Sequence, residues 1–192
     1  MGDSMKKELG KINCLYPMPT VLVGANVKDK PNFITMAHVG IMSPNTISLG
    51  MNKIHYTNNG IKENNSFSVN IPTIENVKKT DYCGLVSGKC EDKAKIFKIF
   101  YGKLKNAPMI EDCPINMECN LIKTVDFPHH DIFIGEIVET YSDDSIISNE
   151  KVDIKKLDPI LFVMNDRGYY KIGDRIAQAW EVGKELKADS KM

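Results

Sequence analysis

Thr20-Val21-Leu22-Val23-Gly24-Ala25-Asn26-Val27, Lys28-Asp29-Lys30-Pro31-Asn32 and Phe33-Ile34-Thr35-Met36-Ala37-His38-Val39-Gly40-Ile41-Met42 follow one another without interruption. The first block is β-branched and almost wholly apolar, the second is a turn, and the third resumes with alternating faces, so the three together predict a β-hairpin. Ser43-Pro44-Asn45 closes the returning strand and Thr46 to Met51 reads as a third. Further on, Ser66 to Ile71 sets Phe67, Val69 and Ile71 against Ser66, Ser68 and Asn70, the period of two of a half-buried strand. Met117 to Asp126, Ile132 to Tyr141, Pro159 to Val163 and Tyr169 to Ile172 read as later strands.

Three short helices are expected between these strands. Thr57 is placed to cap one over Asn58 to Asn65, Thr73 to cap a second running to about Leu85, and a third fits Asp92 to Tyr101 with Gly102 as its stop. From Ile176 to Met192 the chain turns polar and lysine-rich, which predicts a docked Trp180 followed by a fraying tail. There is no regular βαβ alternation, so the expected class is mainly β: a closed or partly closed antiparallel barrel with short helices, not a doubly wound parallel sheet. No internal repeat or boundary divides the chain. One domain is expected across residues 1–192, with its core over about 6–183 and flexible ends.

The 192 residues carry 25 basic and 25 acidic side chains, so no global field draws the protein toward nucleic acid or an anionic membrane. Any anion must be held by a local arrangement. The N-terminal stretch lacks the apolar segment of a signal peptide and no apolar run reaches membrane-spanning length, giving an expected cytoplasmic location. Five cysteines, Cys14, Cys83, Cys90, Cys113 and Cys119, form no C-x-x-C pair and are expected as free thiols.

The usual catalytic signatures are missing. No G-x-S-x-G or cysteine-histidine signature supports a nucleophile, and no G-x-G-x-x-G or G-x-x-x-x-G-K loop supports a Rossmann or P-loop nucleotide site. His38, His55, His129 and His130 have no H-E-x-x-H spacing, and the expected metal set is empty. What remains is a polar cluster. Asn32 and Thr35 begin the second strand, while Lys53, Tyr56 and Thr57 end the third and enter the helix. A helix start, a hydroxyl and a lysine suit a phosphate; a capped helix with solvated polar neighbours suits the same residues.

Several ordered blocks carry a resemblance. They are Tyr16-Pro17-Met18-Pro19-Thr20-Val21, Lys30-Pro31-Asn32-Phe33-Ile34-Thr35-Met36-Ala37, Tyr56-Thr57 through Ile61 to Phe67-Ser68-Val69-Asn70, Asp81-Tyr82-Cys83-Gly84 with Ser87-Gly88, Phe133-Ile134-Gly135-Glu136-Ile137 and Arg167-Gly168-Tyr169-Tyr170. In order and spacing the chain resembles the flavin reductase-like, FMN-binding split-barrel family, and within it the flavoredoxin group. That resemblance implies a homodimer of split β-barrels, each subunit holding one non-covalent FMN near the dimer interface. It implies a phosphate held by Asn32, Thr35, Lys53 and Thr57, with Tyr56 and His55 nearby. It places the isoalloxazine along Met36, Ala37 and His38, near Met51 and Asn52. Asp81, Tyr82, Cys83, Ser87 and Gly88 are implied as another wall, approached by His130 and Tyr169. No protein acid or base is implied as catalytic. The implied function is an FMN-dependent oxidoreductase or electron-transfer protein, with flavin or ferric reduction in its range and NAD(P)H or a redox partner protein as donor. The alternatives are a flavin-binding split barrel without turnover and a Cys/His metal-binding regulatory protein. Cys83 and Cys119 are read as small buried apolar residues.

Overall fold

The computed structural model describes residues 6–186. Its main sheet is built from β1 (Val21–Val27), β2 (Lys30–Met36), β3 (Val39–Ser43), β4 (Thr46–Asn52), β5 (Ser66–Ile71), β6 (Ile115–Asp126) and β7 (His130–Ser142). The helix α1 (Thr57–Asn64) joins β4 to β5, and α2 (Val77–Leu85) follows β5 after a 3₁₀ turn over Ile74–Asn76. Two short strands, β8 (Leu161–Val163) and β9 (Gly168–Tyr170), pair with Met18–Pro19 in a separate three-stranded sheet.

Strand order explains the shape. The seven strands run β2-β1-β5-β6-β7-β4-β3, every pairing antiparallel, so β2 and β3 occupy opposite edges. Only Ala37 and His38 separate them in the chain. A flat sheet of seven strands would hold its edges roughly 29 Å apart, while two linking residues reach about 11 Å between Met36 and Val39. The sheet must therefore roll until its edges approach. Irregular register between β6 and β7, at Ile134/Gly135 and Ile137/Glu139, adds local curvature. The result is a barrel split along the β2/β3 seam, mainly β as the sequence predicts.

β1 is buried along its whole length because it has apolar neighbours on both faces. Val21, Val23 and Ala25 point into the barrel with Met51, Phe67, Cys119 and Phe133. Leu22 turns outward into a second cluster with Phe33, Cys83, Ile110 and Cys113. α1 packs directly on β1, where an added Cβ at Gly60 would overlap the carbonyl oxygen of Asn26. Asn64 Nδ2 donates to that same oxygen at 2.8 Å.

The structure corrects several sequence expectations. The strand expected over Phe33 to Met42 breaks at Ala37-His38, because the chain there exchanges β1 for β4 as its pairing partner. The helix expected over Asp92 to Tyr101 is a 3₁₀ turn at Lys93–Ile96, and Ile99–Phe100 then pairs with Met109–Ile110. Long-range pairing overrides a face of Ala94, Phe97 and Phe100 that fits helical spacing. Trp180 does not dock on its own chain: it is 90% exposed there. The fraying expected for the last residues falls partly outside the described residues.

Candidate functional site

β2 presents a continuous wall from Asn32 to Met36, with Ala37 and His38 beyond it, and two cavities lie along this wall. The first, of about 300 Å³, is lined by Asn32, Tyr56, Gly88 and Lys89, with Lys28 and Lys30 from the hairpin turn and the carboxylates of Glu91 and Asp92, the latter paired with Lys95. The second, of about 490 Å³, is lined by Thr35, Met36, Ala37, His38, His55, Asp81 and Leu85, and closed on the far side by Phe162, Met164, Arg167 and Tyr169. Three strand steps separate Asn32 from Thr35, roughly 10 Å. Side by side along β2, the two make a two-part trough: a narrow end with more lysines than carboxylates and a broader, more apolar end. Among the described residues, Lys28, Lys30 and Lys89 are in no ion pair.

Asn32 is buried and its Nδ2 donates to Thr57 Oγ1 at 2.7 Å. That bond ties β2 to the start of α1. Thr57 itself is the first helical residue and not the cap the sequence suggests; Tyr56 precedes the helix in a helical conformation. The amides of Asn58 and Asn59 donate to the carbonyls of His55 and Tyr56, so this tight entry uses amides the sequence leaves free. Thr35 Oγ1 donates to the Thr80 carbonyl, joining β2 to α2.

Not every expected residue reaches the trough. Lys53 pairs with Asp126 of β6, and its backbone amide donates to His129, which draws it toward the β6–β7 hairpin. Asn52 spends its groups on the turn: Oδ1 accepts from the Ile54 amide and its carbonyl from Asn58 Nδ2. Met51 is fully buried in the barrel core, because its alternation places it inward beside Phe67 and Phe133. Cys83 is fully buried beside Leu22 and Phe33, and burial pushes its thiol up to about 11. Burial likewise pushes Cys119 up to about 12, an inert thiol in the barrel interior. Ser87 is exposed, its Oγ accepting from the Lys89 amide in the loop that carries Gly88. His130 begins β7 opposite Asn52, its ring 6.4 Å from that of His38.

Two groups bridge the second cavity. Tyr169 donates its hydroxyl to Asp81 Oδ1 at 2.9 Å, latching the small sheet to α2. Burial, then the Asp81 carboxylate, raises this phenol to about 12. His55 is held below the usual histidine range, first by burial and then by His130 and Lys93. Its Nδ1 is buried without a partner, as is Thr20 Oγ1 on the same cavity wall. A buried polar atom left unpaired costs about 1–3 kcal/mol, so both atoms are open to a polar partner.

Lys93 went unrecognised in the sequence. It is almost fully buried, and its Nζ donates to the carbonyls of Cys83 and Val86 at 3.0 Å each. Burial lowers its affinity for a proton. A cation there satisfies the C-terminal carbonyls of α2 and holds the Ser87-Gly88 loop against Asn32. No local motif announces this, since its partners lie seven and ten residues back. Arg167, quoted above only as part of a block, also faces the second cavity.

Comparison with known families and structures matches a family model, the flavin reductase like domain, over residues 13–173. The chain belongs to this family. A flavoredoxin from Methanosarcina acetivorans is 46% identical, with a TM-score of 0.93 covering 95% of this chain and all of that one. The flavoredoxin of Desulfovibrio vulgaris (Miyazaki F) is 34% identical, with a TM-score of 0.86 over 93% of this chain and all of that one. An uncharacterized protein of Archaeoglobus fulgidus is 33% identical over 135 residues, covering 68% of this chain and 76% of the relative.

A flavin is the cofactor that flavin reductase-like membership implies, and the trough fits it. The unpaired Lys28, Lys30 and Lys89 supply charge for a phosphate at one end. The partnerless Thr20 Oγ1 and His55 Nδ1 offer hydrogen bonds to a polar ring edge at the other. Among the described residues no three His, Cys, Asp or Glu side chains gather to hold a metal ion, and no helix is long and apolar enough to cross a membrane.

The histidine gives a titration to test. Its proton affinity is lower in the folded chain than in the unfolded one, so the unfolded state binds more protons just below the ordinary histidine value. The contribution of His55 therefore favours the fold at neutral pH and is lost as pH falls through that ordinary value toward the depressed one. By NMR, the His55 imidazole is expected to titrate below the usual range, and His130→Gln to move its midpoint upward. A midpoint unmoved by that substitution would remove His130 from its surroundings.

Proposed function

We propose that this chain is an FMN-binding oxidoreductase of the flavoredoxin type, working as a homodimer and receiving electrons from NAD(P)H or from a redox partner protein. The observation that carries this reading is the two-ended trough along β2, cationic beside Asn32 and Tyr56 and lined by partnerless buried polar atoms beside Met36, Ala37 and His38.

When bound, FMN supplies the redox chemistry. The chain's own residues bind and orient. Lys28, Lys30 and Lys89 hold the phosphate, with Asn32 and Tyr56 shaping its seat. Met36 gives an apolar surface, and His55, in its neutral form, offers a hydrogen-bonding nitrogen to the ring edge. Tyr169, kept protonated by burial and by Asp81, holds the small sheet across the cavity and limits the entry of water. Arg167 adds a positive charge at the opening, suited to an anionic electron donor.

Dimerisation is supported by the surface of β3. Ile41 is 85% exposed and Met42 58% exposed on an edge strand, the kind of apolar edge that proteins cover.

A test of the whole reading supplies NADH, NADPH and reduced ferredoxin in turn to anaerobic protein loaded with FMN, following the flavin absorbance. Bleaching by one donor is expected. Bound flavin that none of these donors bleaches favours the binding protein without turnover, and protein that retains no flavin defeats both. The placement of the phosphate has its own test. Lys89→Ala is expected to weaken FMN binding about fivefold, about 1 kcal/mol for an exposed charge, whereas Lys53→Ala leaves it unchanged because Asp126 already engages that lysine. Titration by flavin fluorescence quenching checks both, and the reverse order of effects would return the phosphate to Lys53.

A further inference from the structure

Beyond β9 the chain leaves the body, and residues 175–186 are exposed throughout. Its base is fixed: Lys155 Nζ donates to the Gly173 carbonyl at 2.8 Å and pairs with Asp174 at 3.0 Å. From Arg175 onward, the hydrogen bonds among the described residues join near neighbours only, such as Arg175 with Gln178, Val182 with Gln178, and Lys184 with Glu181. Ile176 is 99% exposed and Trp180 90% exposed, with Val182 and Leu186 also outside. Trp180 further holds a left-handed backbone, φ +60°. A bulky residue keeps that conformation at a cost of about 1–2 kcal/mol, and it persists where surrounding contacts enforce it. On its own chain only a turn closed by the Glu181 and Val182 amides on the Gln178 carbonyl surrounds it, and no side chain of the barrel covers the indole.

A matching vacancy lies on the same molecule. Beside β3 an almost wholly apolar cavity of about 370 Å³ is lined by Val39, Ile41, Ile47, Ile71 and Met117. β3 is an edge strand, so its outer backbone groups are available to an extended segment. The match to the Methanosarcina acetivorans flavoredoxin leaves about ten of the 192 residues uncovered, fewer than the stretch from Arg175 to the C-terminus, so part of the arm has a counterpart in that crystal structure.

We propose that residues 175–186 cross to a second copy of this chain and cover its β3 face, with Trp180 entering the apolar cavity beside Ile41. Resting on the homodimer reading, this names what covers the exposed edge. Exchange of an identical element between two copies is self-complementary: each chain gives one arm and receives one.

Trp180 is the only tryptophan of the chain, so its fluorescence reports the arm alone. In the FMN-loaded protein, acrylamide is expected to quench it several-fold less than in the urea-unfolded chain, and Ile41→Lys is expected to restore much of that quenching. Light scattering on the same samples separates the two readings. A monomer overturns the dimer and the exchange together; a dimer whose Trp180 is quenched as readily as in urea overturns the exchange alone. Photochemistry gives a second measure, with Trp180→p-benzoylphenylalanine expected to yield, on irradiation, a product of twice the chain mass joined within residues 39–49. A cross-link confined to one chain, or to another part of the partner, overturns the proposal.

Discussion

Gly88→Val lowers FMN affinity by one to two orders of magnitude, an overpacking cost of about 1–3 kcal/mol, while the melting temperature stays within a few degrees of the parent. A Cβ at this position would overlap Asn32 Oδ1 and stand 2.8 Å from both Asn32 Cγ and the Tyr56 ring. Either Asn32 rotates, breaking its 2.7 Å bond to Thr57, or the loop lifts away from β2 and carries Lys89 with it. Both outcomes distort the cationic end of the trough. Gly88 belongs to the loop between α2 and the Lys93 turn and not to the barrel, so the fold is spared. Isothermal titration with FMN and a thermal melt of the same sample separate the two effects. An unchanged affinity would show that the phosphate does not sit beside Asn32.

Gly60→Ala acts on the barrel. Its methyl would overlap the Asn26 carbonyl oxygen and lie 2.9 Å from Val27 Cγ2, a contact between α1 and β1 with main chain on one side. Backbone in the centre of a sheet cannot swing aside as a side chain can, so α1 must lift. The expected loss is about 3 kcal/mol, and for a chain of this size it lowers the melting temperature by roughly 6–12 °C. Since α1 also carries Thr57, the partner of Asn32, FMN binding weakens along with stability. Thermal melts with and without FMN test this. A melting temperature within a degree or two of the parent would mean that α1 does not pack as closely as described.

Gly60 also shows how much of the structure was legible beforehand. In the sequence it only weakens a short polar helix. In the fold it is the point of closest approach between α1 and β1, a relation between residues 34 positions apart that no local pattern records. Lys53 is a similar case. Its position before a helix suggested a phosphate ligand, but its charge partner, Asp126, arrives 73 residues later through the β6–β7 hairpin. The family resemblance places Met51 near the flavin, although the strand period already turns it inward with Leu49. Lys93 is illegible in the sequence because a buried lysine serving helix carbonyls has no sequence signature.

The apolar run of β1, the alternation in β2 and β5, the turn at Lys28–Asn32 and the absence of helical crossovers settled a mainly β antiparallel class from residues alone, because side-chain period and turn chemistry are local properties. The ordered blocks carried the family, which the match over residues 13–173 shows. Local chemistry had nothing to say about the seam. An extended residue looks the same whether its partner is β1 or β4, so the exchange at Ala37-His38, which rolls the sheet and sets both cavities along β2, exists only once all seven strands are paired. The same holds for the trough. Its lysines, partnerless polar atoms and closing wall come from segments between Thr20 and Tyr169, and only tertiary packing brings them to one strand.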